Sequence, residues 1–130
     1  LPFDDTIPQS GEGKQFMSQA ITPKHAADLL FVAHVGVYSQ STSAPVTVAL
    51  FQDATANALA AVSASLTGSN ETATIPLMYQ MQAATTSATT FKIRAGGSSG
   101  TVGINGIAGS ATRLYGGVCY SGLAVMEIFL

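Results

Sequence analysis

The sequence predicts an all-β domain, a sandwich of eight or nine antiparallel strands. From Gln15 onward, Val, Ile, Thr, Phe and Tyr recur in short runs, and clusters of turn-forming residues separate these runs at the spacing typical of a sandwich. No amphipathic pattern of helix length interrupts them. Charged residues make up only 9% of the 130 positions and hydrophobic residues 47%, whereas soluble domains carry about 25% charged residues. The composition therefore predicts a β-domain that covers apolar surface with copies of itself.

The first 14 residues differ from the rest of the chain in composition. Pro2, Pro8, Gly11 and Gly13 suit an extended lead-in from an upstream segment, and residues 15–130 fit a single domain. The chain starts without Met and carries no signal-peptide pattern. We therefore expect a processed piece of a longer protein.

Nine runs within residues 15–130 have the composition of β-strands. They span residues 15–21, 29–38, 46–52, 59–66, 72–81, 89–95, 101–104, 113–115 and 123–129. After the seventh run, Asn105-Gly106 is the strongest hairpin signal, because both residues tolerate the positive φ of a type I′ turn. In the fifth run, Pro76 cannot donate a ladder hydrogen bond, which predicts a strand at a sheet edge or a bulge.

The run 59–66 fits a helix as well as a strand. Leu59, Val62 and Leu66 have the spacing of one helix face. A strand instead places the even-numbered residues from Ala60 to Leu66 on one face, and Ala and hydroxyl side chains on the other. We prefer the strand, because this alternation is typical of a half-buried strand.

The run 29–38 is the most informative strand, because neither of its faces is polar. One face carries Leu29, Phe31, Ala33, Val35 and Val37, and the other carries Leu30, Val32, His34, Gly36 and Tyr38. A sandwich core needs only one face, so the second face calls for another chain or another element. We expect the chain-to-chain interface at Leu30, Val32, His34 and Tyr38, together with Tyr79 of the run 72–81.

Charge and motif content exclude several classes of function. The five basic residues are scattered, so no basic face suits a nucleic acid. No apolar run approaches the about 18 residues of a membrane span, so we expect no membrane insertion. The sequence contains none of the common catalytic motifs, and we expect no enzyme. His25 and His34 lie on different elements and Cys119 has no nearby ligand, so we predict no metal site and no cofactor.

Two residues keep alternative interpretations at this point. His34 fits a hydrogen-bonded core or interface residue, or a residue whose copies meet on a symmetry axis and hold an ion or respond to pH. Glu127 lies inside an apolar strand. It fits a partner for a basic group, or a site carboxylate. The basic groups considered are Lys92, Arg94 and Arg113.

Several short phrases occur in a fixed order between residues 4 and 128. They are Thr6-Ile7-Pro8-Gln9 with Glu12-Gly13, Ala20-Ile21-Thr22-Pro23, Val48-Ala49-Leu50-Phe51-Gln52-Asp53, Thr85-Thr86-Ser87-Ala88-Thr89-Thr90-Phe91-Lys92-Ile93-Arg94, Leu114-Tyr115-Gly116-Gly117 and Val125-Met126-Glu127-Ile128. Together they resemble a module of bacteriophage tail fibre, tailspike and other virion proteins. The resemblance implies a jelly-roll β-sandwich, comparable to the trimeric heads of the tumour-necrosis-factor and complement C1q type. It implies no catalytic residue.

We therefore expect a homotrimeric, non-enzymatic module that locks three chains together near the C-terminus of a phage tail protein, exposed on the virion. Some modules of this kind bind host-surface glycans. If this chain does so, we expect the contact at turns and exposed aromatic or basic groups, namely Asp53, Asn105, Arg113, Tyr115 and Tyr120. Two alternatives remain: a capsid decoration or head-fibre protein without receptor contact, and a small β-sandwich enzyme acting on polysaccharide.

Overall fold

Two antiparallel sheets pack face to face in the computed structural model, which describes residues 1–110 and 112–130. The strands are β1 (Lys14–Ile21), β2 (Leu29–Gln40), β3 (Ala44–Gln52), β4 (Ala60–Leu66), β5 (Thr72–Gln82), β6 (Thr89–Gly97), β7 (Val102–Ile104) and β8 (Gly122–Ile128). Among the described residues there is no α-helix, and Tyr115–Gly117 forms a single 3-10 turn. The predicted all-β sandwich is confirmed.

The strand order explains how the sandwich closes. One sheet has the order β1-β6-β3-β4. In the other, β2 is central: β5 pairs along one side of it, while β8 and β7 follow one another along the other side. The chain passes repeatedly from one sheet to the other, which gives a jelly-roll-like topology. Because β5 pairs only with β2, Pro76 lies in an edge strand, as predicted.

The core lies between the sheets and follows the period-two alternation of the strands. On β2 the even-numbered side chains point inward, and on β3 and β6 the alternating β-branched and aromatic residues do so. Each large apolar side chain that becomes fully buried contributes roughly 1.5–3 kcal/mol. The fully buried members include Leu30, Val32, Tyr38, Val46, Val48, Leu50, Phe91 and Ile93.

The outer face of β3 is also buried, because residues 1–13 lie along it. Ser10 N–H donates to Ala56 O, and Ala58 N–H donates to Pro8 O. The guanidinium of Arg94 donates to the carbonyls of Glu12 and Gly13, at 2.7 and 2.9 Å. The outward-facing side chains of β3, Thr47, Ala49 and Phe51, are accordingly buried. The segment predicted as an extended lead-in thus lies against one side of the sandwich.

Residues 59–66 follow the strand prediction rather than the helix prediction. Ala60–Leu66 pairs with β3 in a regular antiparallel register, and its even-numbered side chains turn inward. The β-strand is favoured because the central strand β3 needs a second neighbour, which a helix cannot provide.

The predictions around Asn105 and residues 113–115 were wrong. Gly106 and Arg113 form an isolated bridge across a longer connection, and residues 113–115 do not form a strand. The side chain of Ser121 donates to Asn105 Oδ1, and that of Ser39 donates to Gly106 O. These bonds hold the segment to the end of β2, so a two-residue hairpin does not form.

Candidate functional site

Three strands of the second sheet present a continuous apolar surface to the outside. Directly paired residues of neighbouring strands point to the same side of a sheet, and Ala33 of β2 is paired with both Met78 and Ala124. Val35 is likewise paired with Pro76. We call this surface the apolar face. Its members are Leu29, Phe31, Ala33, Val35 and Val37 of β2, Pro76 and Met78 of β5, and Ala124, Met126 and Ile128 of β8.

Large side chains of the apolar face are exposed to solvent. The exposed fraction is 65% for Met78, 55% for Met126 and 41% for both Val35 and Ile128. None of its members carries a formal charge, and β5 adds only Thr and Gln at the margin. A contiguous apolar surface of this kind, free of charges, is characteristic of a surface that binds another molecule.

A groove extends the apolar face toward the connection between β7 and β8. Tyr120 is 76% exposed, and its ring lies over Gly122, where a Cβ would come within 2.8 Å of Cε1. Gly122 is therefore required for this position of the ring. Together with Val35, Pro76 and Met78, Tyr120 lines a groove of about 270 Å³.

The side chains predicted at the chain-to-chain interface lie on the inner face of their strands. Leu30, Val32, His34 and Tyr38 are all at most 2% exposed and point into the core, while Tyr79 is half-buried against that core. These side chains are therefore core residues of one chain, and the prediction that they contact another chain was wrong. On β2, the side chains open to another molecule lie on the opposite face.

His34 is held inside the sandwich by two hydrogen bonds. Its Nδ1–H donates to the carbonyl of Gly122 at 2.8 Å, and its Nε2 accepts the hydroxyl of Tyr38 at 2.7 Å. A carbonyl can only accept, so the neutral Nδ1–H tautomer is fixed. Burial lowers the pKa of His34 and raises that of Tyr38. Copies of His34 cannot meet on a symmetry axis, which eliminates that alternative.

Four of the five residues predicted at a glycan site lie on the connection between β7 and β8. Tyr115 is 74% exposed and Tyr120 is similarly exposed, and Arg113 lies beside Gly117. Asn105 is committed to the fold, because its side chain accepts the hydroxyl of Ser121. The side chains left available to a ligand are therefore Arg113, Tyr115 and Tyr120.

Asp53 belongs to the other sheet and has a structural role. It follows β3 with a φ of 51°, and its carboxylate accepts Thr89 Oγ1–H and Thr90 N–H, both at 2.8 Å. Lys92 donates to its carbonyl at 2.7 Å. These bonds close the turn, so Asp53 does not join the other predicted residues.

Glu127 does not pair with Lys92, Arg94 or Arg113, and that interpretation was wrong. Its Oε1 accepts the backbone N–H groups of Lys24 and His25, at 2.7 and 3.2 Å. The prediction was wrong because Glu127 binds a loop that lies 103 residues earlier in the chain. No local pattern indicates that contact.

The sequence interpretation missed Phe31, Val35, Met78 and Met126 as surface residues. Alternation in β2 separates its two apolar faces but does not show which one points outward. The one signal in the sequence for the inward face is the pair His34 and Tyr38. These two polar side chains lie four residues apart on the same face of β2 and can be buried together if they hydrogen-bond to each other, as they do here.

No protein-family model matches this chain, and no curated protein matches it at a significant level. In the described part of the chain, no helix is long and apolar enough to cross a membrane. The apolar face and the exposed tyrosines are therefore the features from which we infer a function.

Proposed function

We propose that this chain is a non-enzymatic module that joins three copies of itself in a phage tail fibre or tailspike and contributes to host attachment. The observation that carries this proposal is the apolar face, which no other part of the described chain covers. The sequence phrases that resemble virion modules support the assignment to a phage protein. The trimeric state is proposed because the modules that they resemble are trimeric.

The geometry of a threefold assembly suits such a face. In a closed ring each chain uses two different surfaces, so the apolar face of one chain packs against another surface of the next chain. Burying about 800 Å² of apolar surface in total, about half the area of a standard interface, contributes up to roughly 20 kcal/mol at about 25 cal/mol per Å². This exceeds the cost of association, about 4–15 kcal/mol. Apolar burial on this scale would offset the cost of association, which supports the proposal.

The oligomeric state tests the assembly half of the proposal. Native mass spectrometry at micromolar concentration is expected to give three times the chain mass of 13.3 kDa. A stable monomer at that concentration would refute the proposal. A dimer would refute the threefold arrangement.

Charged substitutions locate the interface. Met78→Glu and Met126→Glu each place a carboxylate on the apolar face, where burial of an unpaired charge is strongly unfavourable. We expect each variant to weaken association at least tenfold, measured by light scattering over a dilution series. Ser18→Glu, at an exposed position of β1, is the matched control and should leave the trimer intact. Equal effects of all three variants would contradict this interface.

The proposal of host attachment is based on the exposed side chains after β7. We expect Tyr115 to stack on a sugar ring, with Arg113 as a hydrogen-bond donor. Binding to an array of bacterial surface polysaccharides identifies the ligand, and Tyr115→Ala should reduce the affinity about tenfold without changing the oligomeric mass. An array on which wild type binds no polysaccharide would restrict the function to trimerisation.

A further inference from the structure

Three side chains of metal-binding type meet at one end of the sandwich, away from the exposed tyrosines. They are His25 and Asp28, from the loop before β2, and Glu127, from the end of β8. One ligand atom from each lies within 4.8 Å of the other two. The three residues come from opposite ends of the sequence, so the fold alone brings them together.

Hydrogen bonds hold these side chains in place. Glu127 accepts hydrogen bonds from the backbone N–H groups of Lys24 and His25. Asp28 Oδ1 accepts a hydrogen bond from Leu130 N–H at 3.2 Å. The second oxygen of Asp28 lies 3.1 Å from Nδ1 of His25. Both backbone N–H groups donate to Oε1 of Glu127, and neither donates to Oε2.

The charges of this cluster are not balanced by a permanent cation. Asp28 is only 3% exposed, and Glu127 is half-buried beside it. Among the described residues, neither carboxylate forms a salt bridge with Lys or Arg. The ammonium of the neighbouring Lys24 lies instead over the ring of Phe129, 5.9 Å from its centroid. Two adjoining carboxylates with one buried are stabilised by a cation between them.

The donor set favours one class of cation. One imidazole nitrogen and two carboxylates suit Zn²⁺, which is bound by three protein ligands and a water in open sites. Ca²⁺ and Mg²⁺ prefer six or more oxygen ligands, which this cluster does not offer. We propose that His25, Asp28 and Glu127 bind one divalent cation of the zinc class.

The bound cation would fasten β8 to the loop before β2. Leu29 and Ile128, the residues next to Asp28 and Glu127, are paired members of the apolar face. The cation would therefore fix one end of that face. Cation binding itself does not require the chain to be trimeric, so the two proposals can be tested separately.

Calorimetric titration of the chelator-treated full chain with Zn²⁺ tests the site. We expect one Zn²⁺ per chain, a rise of several degrees in Tm, and no comparable binding of Ca²⁺. Glu127→Gln keeps an oxygen for the two backbone N–H groups but removes the charge, and His25→Ala alters an exposed side chain. Each should weaken Zn²⁺ binding at least tenfold.

Two control variants separate this cluster from other ligands. Asp5→Asn removes an exposed carboxylate elsewhere, and Cys119→Ser removes the free thiol. Both should bind Zn²⁺ as the unmodified chain does. Circular dichroism and Tm without metal confirm that each variant is folded. Absence of binding at about 100 μM Zn²⁺ would overturn the proposal, as would binding that survives both His25→Ala and Glu127→Gln.

Discussion

At the scale of single residues, the buried pair His34 and Tyr38 shows most directly how polar chemistry is accommodated in this core. Both imidazole nitrogens are bonded, one to the carbonyl of Gly122 and the other to the hydroxyl of Tyr38. The ring of Phe16 contacts both rings edge-on, at centroid distances of 6.1 and 6.0 Å. A neutral histidine satisfies every one of these contacts, whereas protonation would remove the acceptor at Nε2.

The stability of the protein should therefore fall in mild acid. Burial lowers the pKa of His34 below its ordinary value of 6.5. The unfolded chain then binds a proton below about pH 6.5 that the folded chain does not, so the free energy of unfolding decreases as pH falls through that value. The slope is at most about 1.4 kcal/mol per pH unit for one proton.

Urea unfolding between about pH 7.5 and pH 5 measures this dependence. In His34→Gln the part of the slope due to residue 34 should disappear. An unchanged slope in the variant would show that His34 titrates normally in the folded state.

At the scale of secondary-structure elements, β2 is the strand on which the second sheet is organised. It pairs with β5 on one side and with β8 and β7 on the other. On its inner face, Gly36 lies between His34 and Tyr38. A Cβ at Gly36 would lie 2.7 Å from Cζ of Tyr38. The ring of Tyr38 thus occupies the space that a side chain at Gly36 would need.

Gly36→Ala should consequently destabilise the protein by about 1–3 kcal/mol, since the buried Tyr38 ring has to move. Gly11→Ala is the matched control, because no atom lies within 4 Å of the added Cβ. Its effect should stay within about 0.5 kcal/mol. Chemical denaturation of both variants measures the difference, and equal effects would contradict the close packing at Gly36.

The elements also show which parts of the fold the sequence could predict. The strand-forming runs and the turn residues between them located β1 to β8 to within about two residues, because the two compositions alternate along the chain. The sequence could not choose the inward face of β2, since both faces are apolar and hydrogen bonds from distant residues decide the choice. The strand predicted at 113–115 does not form, because Tyr115, with a φ of 54°, bends the chain into a turn.

At the scale of the whole molecule, the two outer surfaces of the sandwich differ. Residues 1–13 cover the outer face of β3 in one sheet, whereas the apolar face of the other sheet is exposed to solvent. Arg94 is central to the covered side, because its guanidinium binds two successive carbonyls of the covering segment. The sequence could not predict this difference between the two surfaces. Pro and Gly in residues 1–13 indicate an extended segment, but they do not show which surface the segment packs against.

Arg94→Ala should loosen the covering segment without unfolding the sandwich. Loss of two charge-assisted hydrogen bonds costs about 1.5–3 kcal/mol each at most. The amides of Ser10 and Ala58, which bond across to Ala56 and Pro8, should then exchange with solvent faster. Hydrogen exchange measures this change, and amides of β2 serve as the internal reference. Uniform acceleration would indicate global destabilisation instead.

The position of β8 in the chain determines when the apolar face is completed during synthesis. β8 is the last of the eight strands to leave the ribosome, and it contributes Ala124, Met126 and Ile128 to the apolar face. While β8 is still inside the exit tunnel, β2 lacks its partner along residues 29–35. A nascent chain in which β8 is still inside the exit tunnel therefore cannot present the complete apolar face.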